Sequence, residues 1–216
     1  GRLRRARRAA APRLSEAVRE RLAELAMVDA RFEIELAPRP DGCGPRGADA
    51  IEMLIAANAG GQLGPLREVA SGGELSRVML ALLSVAHAGG LDSGGGSGSE
   101  SGSEGAGEPE AGMARPLLVF DEIDAGIGGH TARAVGAHLR RLARGRQILC
   151  ITHLPQVAAL ADRHFTIVKE SGSAPATTTV TALDGDQVVG ELVRMLGAGS
   201  GDRAASEHAR ELLRAA

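Results

Sequence analysis

The sequence predicts an α/β fold, in which short apolar strands alternate with amphipathic helices. Apolar runs of strand length stand at residues 117–120 and 147–151, and a segment with helical spacing of apolar residues follows each run. A further strand is predicted from His164 to Lys169, and β-rich sequence follows at Thr177–Leu183. Because neighbouring parallel strands need a crossover, this alternation from Leu117 onward favours a largely parallel sheet.

The composition excludes several classes of protein. Hydrophobic residues make up 44% of the 216 residues and charged residues 24%, the usual mixture for a globular domain. No run of about 18 apolar residues is present, which argues against a membrane partner. The net charge of -2 gives no general attraction to nucleic acid. Two cysteines form neither a disulfide framework nor a metal cluster, so a cytoplasmic location is expected.

The first 28 residues are predicted to form a helix. Their apolar residues recur at intervals of four and three, at Leu14, Val18, Leu22, Leu25 and Val28. Two interpretations remain open, an ordinary amphipathic helix and the last heptads of a coiled coil. The segment is too short for its periodicity to separate them.

Two further segments organise the chain. Apolar and charged residues alternate from Ala30 to Leu36, and after a loop rich in Pro and Gly a second apolar run spans Ile51–Ala56, so a hairpin is predicted. Residues 89–115 are rich in Gly, Ser and Glu. Such a segment cannot bury a core and is expected to be a flexible insert.

The sequence LLVFDE at residues 117–122 is the first candidate site. An apolar strand that ends in two carboxylates is costly unless something compensates for their charge. At the carboxyl end of a parallel strand, Asp121 could hold Mg²⁺ and Glu122 could polarise a water molecule. A strand that merely ends in a polar turn is an equally good interpretation of this motif alone.

Ser71-Gly72-Gly73-Glu74 is the second candidate site. Two glycines at the start of a helix leave backbone N–H groups open to an anion, and Ser71 adds a hydroxyl donor. Ser followed by Glu three residues later is also a capping box. Considered by itself, the motif is better explained as a helix cap.

His153 is the third candidate, because it lies two residues past the predicted strand that ends at Ile151. A ring nitrogen there could contact a phosphate or position an attacking water. A single histidine at a strand end is usually structural.

The order of these motifs resembles the C-terminal half of ABC-type ATPases. The segments VASGGELSR, LLVFDEIDAGIGG and ITHLPQVAALADRHF are similar to the RecN family, the SMC-like proteins of bacterial double-strand-break repair. The resemblance runs from about residue 30 to the C-terminus, without the insert. It implies a P-loop-NTPase-type ABC/SMC head, with residues 29–216 as its C-terminal lobe and residues 1–28 as the end of a coiled-coil arm.

The resemblance also implies roles for individual residues. Those of the second motif would be the signature motif, which contacts the γ-phosphate of ATP held by a partner head: Ser71, Gly72, Gly73 and Glu74. Asp121 would be the Walker B ligand of Mg²⁺. Glu122 would be the general base, and His153 the switch histidine. Asp124 would begin the D-loop, which crosses the dimer interface.

A P-loop is missing from this sequence. The motif G-x-x-x-x-G-K-[ST] requires a lysine, and the only lysine, Lys169, lies in FTIVKES without the glycines. Residues 126–131 carry glycines before a helix but no lysine. The resemblance places the P-loop in an N-terminal half, so that half, a second head in an ATP-sandwiched dimer, and DNA bound through the complete protein are the expected partners. Activity from this chain alone is not expected.

Two other functions remain open. One is a non-catalytic dimerisation or regulatory module with an ABC-type fold, but such a module has no chemical need for Glu122 and His153. The other is the nucleotide-binding domain of an ABC transporter, which the flanks SGGELSR and DEIDAGIGG resemble less than they resemble RecN. The expected location is the cytoplasm, in association with the nucleoid.

Overall fold

The computed structural model describes residues 1–68, 71–88, 117–170 and 177–216. Its elements, in chain order, are α1 (Arg2–Glu24), β1 (Arg31–Pro38), β2 (Asp49–Ala56), β3 (Gly64–Pro65), a 3₁₀ turn (Leu66–Glu68), α2 (Gly72–Ala88), β4 (Leu117–Phe120), α3 (Gly129–Leu142), β5 (Gln147–Cys150), α4 (Pro155–Ala158), β6 (His164–Glu170), β7 (Thr177–Leu183), α5 (Asp186–Met195) and α6 (Arg203–Arg214). The α/β prediction is confirmed. Within these ranges no helix is both long enough and apolar enough to cross a membrane. The predicted flexible insert at 89–115 lies outside the described residues.

Helix α1 ends four residues before the predicted limit at Val28. Ala26 takes a left-handed backbone conformation, with φ at 61°. The N–H of Met27 then bonds to the carbonyl of Leu22 at 2.9 Å, which closes the helix in a Schellman arrangement. Leu22 and Leu25 are buried as the periodicity predicts, whereas Val28 is 73% exposed. The inclusion of Val28 in the apolar face of the helix is therefore wrong.

The predicted hairpin is confirmed. Strands β1 and β2 pair antiparallel from Arg31 opposite Ala56 to Pro38 opposite Asp49. Phe32 and Ile55 are neighbours in this register and both are buried. They join the main hydrophobic core, to which α1, α2, β4 and α3 also contribute buried side chains. A second, smaller core forms between α5, α6 and the end of α4.

The parallel part of the fold is smaller than the sequence suggests. Strands β4 and β5 pair parallel, with Leu117 opposite Gln147 and Phe120 opposite Cys150, and α3 lies between them in the chain. Strands β6 and β7 instead form a separate antiparallel pair. Antiparallel neighbours need no crossover helix, and six residues separate β6 from β7 in the sequence. For the described residues, the prediction of a largely parallel sheet is wrong.

Both two-stranded sheets carry apolar side chains that stay in contact with solvent. On one face of β4 and β5, four side chains are each about half exposed: Leu117, Val119, Leu149 and Ile151. Phe165, Ile167 and Val180 are exposed in the same way on β6 and β7. Large apolar areas left open on a folded domain indicate a contact surface.

Candidate functional site

The three predicted motifs meet where β4 and β5 end. The chain after β5 stays beside β4, because the N–H of Ile151 bonds to the carbonyl of Phe120 at 2.9 Å. The first turns of α2 reach the same place, where the hydroxyl of Ser76 donates to the carbonyl of Asp121 at 2.8 Å. The structure therefore brings together the start of α2, the two carboxylates after β4 and the turn that carries His153.

The turn that carries Asp121 and Glu122 is anchored in the core by the buried side chain of Ile123. Asp121 and Glu122 are both exposed, whereas Ile123 is fully buried beneath them. The N–H of Ala125 closes a turn on the carbonyl of Glu122 at 3.0 Å. Within this turn Glu122 has φ at 54°, a left-handed conformation that a residue with a Cβ adopts at a cost of about 1 kcal/mol. The turn keeps both carboxylates at the surface.

The two glycines of the second motif pack against the turn of their own chain. A Cβ on Gly72 would lie 2.8 Å from Oε2 of Glu122. A Cβ on Gly73 would lie 2.8 Å from the Cβ of Ala125 and 2.9 Å from the carbonyl oxygen of Glu122. The glycines thus permit contact between α2 and the carboxylate turn, a reason for them that the sequence did not indicate.

Ser71 begins α2 as predicted, but the cap is weak. The N–H of Glu74 lies 3.5 Å from the Ser71 hydroxyl oxygen, at the long limit of a hydrogen bond. The Ser71 side chain is exposed. Its hydroxyl is therefore accessible to a group that approaches the start of the helix.

Arg77 is a site residue that the sequence interpretation missed. It is only 7% exposed, and its Nη1 donates to the carbonyl of Ala125 at 2.8 Å and, at 3.5 Å, to that of Ile123. Burial lowers the pKa of its guanidinium from the ordinary value. The available signal was its position, four residues after Gly73 on the buried face of α2. Arg77 ties α2 to the turn after β4.

Asp124 is tied to the turn that carries His153. It is 2% exposed, and its Oδ2 accepts from the hydroxyl of Thr152 at 2.5 Å and from the N–H of His153 at 2.8 Å. The Nδ1 atom of His153 lies 3.1 Å from the same oxygen, while the histidine side chain is 70% exposed. Thr152 was not predicted, because a hydroxyl before a histidine has no distinctive pattern.

Cys150, the last residue of β5, lies close to the acidic side chains of the candidate site. Burial raises the pKa of its thiol to about 12, and the charges of Asp124 and Asp121 add to the effect. Both carboxylates therefore lie near the last residue of β5. The high pKa keeps the thiol protonated and unreactive, as expected for a packing residue.

The described residues alone do not form a complete metal site. Within them, no three His, Cys, Asp or Glu side chains lie close enough together to hold a metal ion. Mg²⁺ needs only one or two carboxylates when phosphate oxygens and water complete its shell. Asp121, exposed at the end of β4, fits that requirement.

Sequence comparison relates the chain to one group of proteins. No family model matches it. It is 41% identical to the DNA repair protein RecN of Treponema pallidum, over 94% of this chain and 33% of the relative. It is 40% identical to RecN of Streptomyces coelicolor, over 98% of this chain and 35% of the relative. RecN of Deinococcus radiodurans is 41% identical over 88% of this chain and 29% of the relative.

The backbone of the chain was also compared with solved structures, and an SMC head domain is among those that match. The Smc head domain with a coiled coil and joint from Pyrococcus yayanosii matches with a TM-score of 0.49 and 19% identity, over 81% of this chain and 27% of that chain.

The chain is an α/β domain. The resemblance to RecN is confirmed, since the chain is similar to RecN proteins over nearly its whole length. It spans about a third of the length of these relatives.

Proposed function

We propose that this chain forms one side of the ATP site in a RecN-like, SMC-type ATPase head that acts in DNA double-strand-break repair and recombination. The observation that supports this function most strongly is the convergence of three segments. The start of α2, the carboxylates after β4 and His153 after β5 lie at one edge of the parallel strand pair. Ligands of open α/β sheets bind at this edge.

Each residue of the site has a role in this proposal. Asp121 binds Mg²⁺, and Glu122 accepts the proton of the attacking water. His153 contacts the terminal phosphate through its exposed ring. When bound, Mg²⁺ neutralises charge on the phosphate oxygens. Glu122 is suited to its role because it is exposed just after the carboxyl end of β4, beside Asp121.

The signature motif acts on the nucleotide of a second head in an ATP-sandwiched dimer. Ser71 offers an exposed hydroxyl, and Gly72 and Gly73 add no side chain that would obstruct the phosphate. Glu74 lies in the first turn of α2 beside them. The N-terminal end of a helix attracts a phosphate through its open N–H groups and its dipole.

Another polypeptide segment completes the site and carries the P-loop, which this sequence lacks. The half-exposed apolar face of β4 and β5 supports this part of the proposal, because two strands alone leave Val119 and Leu149 in water. We propose that the N-terminal half of the head covers this face. Helix α1 is the end of a coiled-coil arm, and DNA is bound by the complete protein in the cytoplasm, at the nucleoid.

The test is Mg²⁺-dependent ATP hydrolysis by this chain, alone and mixed with a separately produced P-loop segment of a RecN relative. The expected result is activity in the mixture only, lost in Glu122→Gln and reduced in Asp121→Asn at low Mg²⁺. Arg133→Gln serves as a matched control on the exposed surface of α3, and it should leave activity unchanged.

Two outcomes would contradict the proposal. Hydrolysis by the chain alone would mean that it contains a complete phosphate-binding site. A mixture that assembles, as measured by analytical ultracentrifugation, yet hydrolyses no ATP would favour a non-catalytic dimerisation or regulatory module.

A further inference from the structure

The side chain of Asp124 is buried against the turn that carries Thr152 and His153. It is 3% exposed, and within the part of the chain that the structure describes its hydrogen bonds and its ion pair go to Thr152 and His153. Three donors from two consecutive residues converge on one oxygen, Oδ2. These contacts leave Oδ2 with little capacity for a further donor. Its contacts therefore suit it to orient the histidine.

The geometry determines which nitrogen of His153 carries the hydrogen. Nδ1 lies 3.1 Å from Oδ2 of Asp124. An unprotonated Nδ1 would place its lone pair against that oxygen, which is repulsive at this distance. The neutral ring is therefore protonated on Nδ1, and Nε2 is left as the nitrogen available on a side chain that is 70% exposed.

Thr152 fixes the turn in which His153 sits. Its hydroxyl donates to Oδ2 of Asp124 at 2.5 Å and accepts from the N–H of Leu154 at 3.0 Å. The first of these bonds joins the turn to the segment after β4, and the second fixes its local shape just before α4. Valine at this position would keep the shape of the side chain but lose both bonds, whereas serine would keep both.

We propose that Asp124 and Thr152 are positioning residues, which hold His153 as the Nδ1–H tautomer with Nε2 directed away from the protein. Asp124 then acts on the histidine and not on the nucleotide directly. Arg77 binds the carbonyl of Ala125, the residue after Asp124, and so joins α2 to the same turn. The functional part of this inference rests on the proposed ATPase function, whereas the tautomer itself does not.

The tautomer can be measured on this chain alone by ¹⁵N NMR of the imidazole nitrogens at a pH where the rings are neutral. The His153 signals are assigned by their loss in His153→Gln. The wild-type ring should be protonated mainly on Nδ1. His164 is an internal control for the other tautomer. Its Nε2 lies 2.9 Å from the carbonyl oxygen of Ala158, which can only accept, so Nε2 carries the hydrogen.

The variants separate positioning from folding. Thr152→Val should shift His153 toward the mixed tautomers of a free histidine, and Thr152→Ser should restore the Nδ1–H form. Asp124→Asn should weaken the preference for Nδ1–H without reversing it, because the amide oxygen that keeps the bonds to Thr152 and His153 is a weaker acceptor than a carboxylate. The His164 signals should not change in any folded variant. A wild-type His153 mainly protonated on Nε2, or one that is insensitive to Thr152→Val, would overturn the inference.

An activity measurement tests the functional part separately. In the mixture with the P-loop segment, Thr152→Val should lower kcat by roughly 10- to 100-fold with little change in KM for ATP, since misplacement of a reacting group acts on the chemical step. Thr152→Ser should recover most of this loss. An unchanged kcat in Thr152→Val would overturn the functional part. Absence of activity in the wild-type mixture would instead count against the proposed function, with the tautomer result unaffected.

Discussion

At the scale of single residues, Glu122 combines a backbone penalty with the chemical role proposed for it. Its left-handed conformation disfavours any side chain that has a Cβ. Positions of this kind concentrate at functional sites, where the surrounding structure imposes the conformation. Here the buried Ile123 and the turn closed by Ala125 impose it.

This penalty predicts a stability difference between two variants at position 122. Glu122→Gly should have a free energy of unfolding about 1 kcal/mol higher than Glu122→Ala, because only glycine relieves the left-handed conformation. Urea unfolding of both variants, followed by circular dichroism, measures the difference. Equal stabilities, or a more stable alanine variant, would show that the backbone at this position is not strained.

The sequence predicted the site residues unevenly. Ser71, Asp121, Glu122 and His153 were identified because each stands directly at the end of a predicted strand or the start of a predicted helix. Arg77 and Thr152 were missed, because their importance comes from hydrogen bonds across 48 and 28 positions of the chain. Such contacts leave no trace in local spacing.

At the scale of elements, the contact between α2 and the carboxylate turn depends on two glycines that differ in what they touch. A Cβ on Gly72 would meet the mobile end of the Glu122 side chain, whereas one on Gly73 would meet Ala125 and the backbone of Glu122. The first neighbour can move aside easily, and the second cannot.

The two alanine variants should therefore differ in stability. Gly73→Ala should lower the free energy of unfolding by about 1–3 kcal/mol, the range for overpacking. Gly72→Ala should remain within about 1 kcal/mol of the wild type, because helix propensity offsets a small side-chain shift. Thermal and urea unfolding give both values. A larger loss in Gly72→Ala than in Gly73→Ala would contradict the described packing.

A second contact between elements joins the end of α1 to α3 through His138. This ring is 2% exposed. Its Nε2 lies 2.5 Å from a carboxylate oxygen of Glu24, and Nη2 of Arg141 lies 2.9 Å from its Nδ1. A guanidinium can only donate, so Nδ1 accepts and Nε2 carries the hydrogen. Burial, and next the charge of Arg141, lower the pKa of His138 below its ordinary value.

This lowered pKa predicts a loss of stability in mild acid. The unfolded chain binds a proton at the ordinary pKa of about 6.5, whereas the folded chain binds it only at lower pH. The free energy of unfolding should therefore fall as the pH drops below about 6.5, down to the lowered pKa. His138→Gln should reduce this dependence. Urea unfolding between pH 8 and pH 5 tests it, and parallel curves for the two proteins would contradict the assignment.

At the scale of the whole molecule, local patterns predicted most elements but not the pairing of every strand. The alternation in β1 and the apolar runs of β2 and β4 were sufficient to place the hairpin and the first parallel strand. The antiparallel pairing of β6 with β7 was not predicted, because period-2 patterns define a strand without its partner. The end of α1 was displaced for a similar reason, since the conformation of Ala26 has no signal in a sequence without glycine there.

The exposed apolar face of β4 and β5 indicates that another segment packs against this chain close to the candidate site. Val119, Leu149 and their neighbours lie on the same strand pair whose carboxyl end carries the candidate site. A segment that covers this face would also stand beside Asp121 and Glu122. The proposed function therefore requires an ATP-sandwiched dimer, in which the P-loop segment of one head and the signature motif of this chain in the other head enclose the γ-phosphate of ATP.

Photocleavage by vanadate tests this arrangement of Ser71 and the γ-phosphate. In the mixture of this chain with the P-loop segment, vanadate and Mg²⁺-ADP occupy the position of the γ-phosphate, and irradiation cuts the backbone that contacts it. The account predicts a cut in this chain at Ser71, mapped by mass spectrometry, that requires ADP and the P-loop segment and is lost in Ser71→Ala but not in Ser76→Ala. Cleavage of the P-loop segment while this chain stays intact would contradict the account.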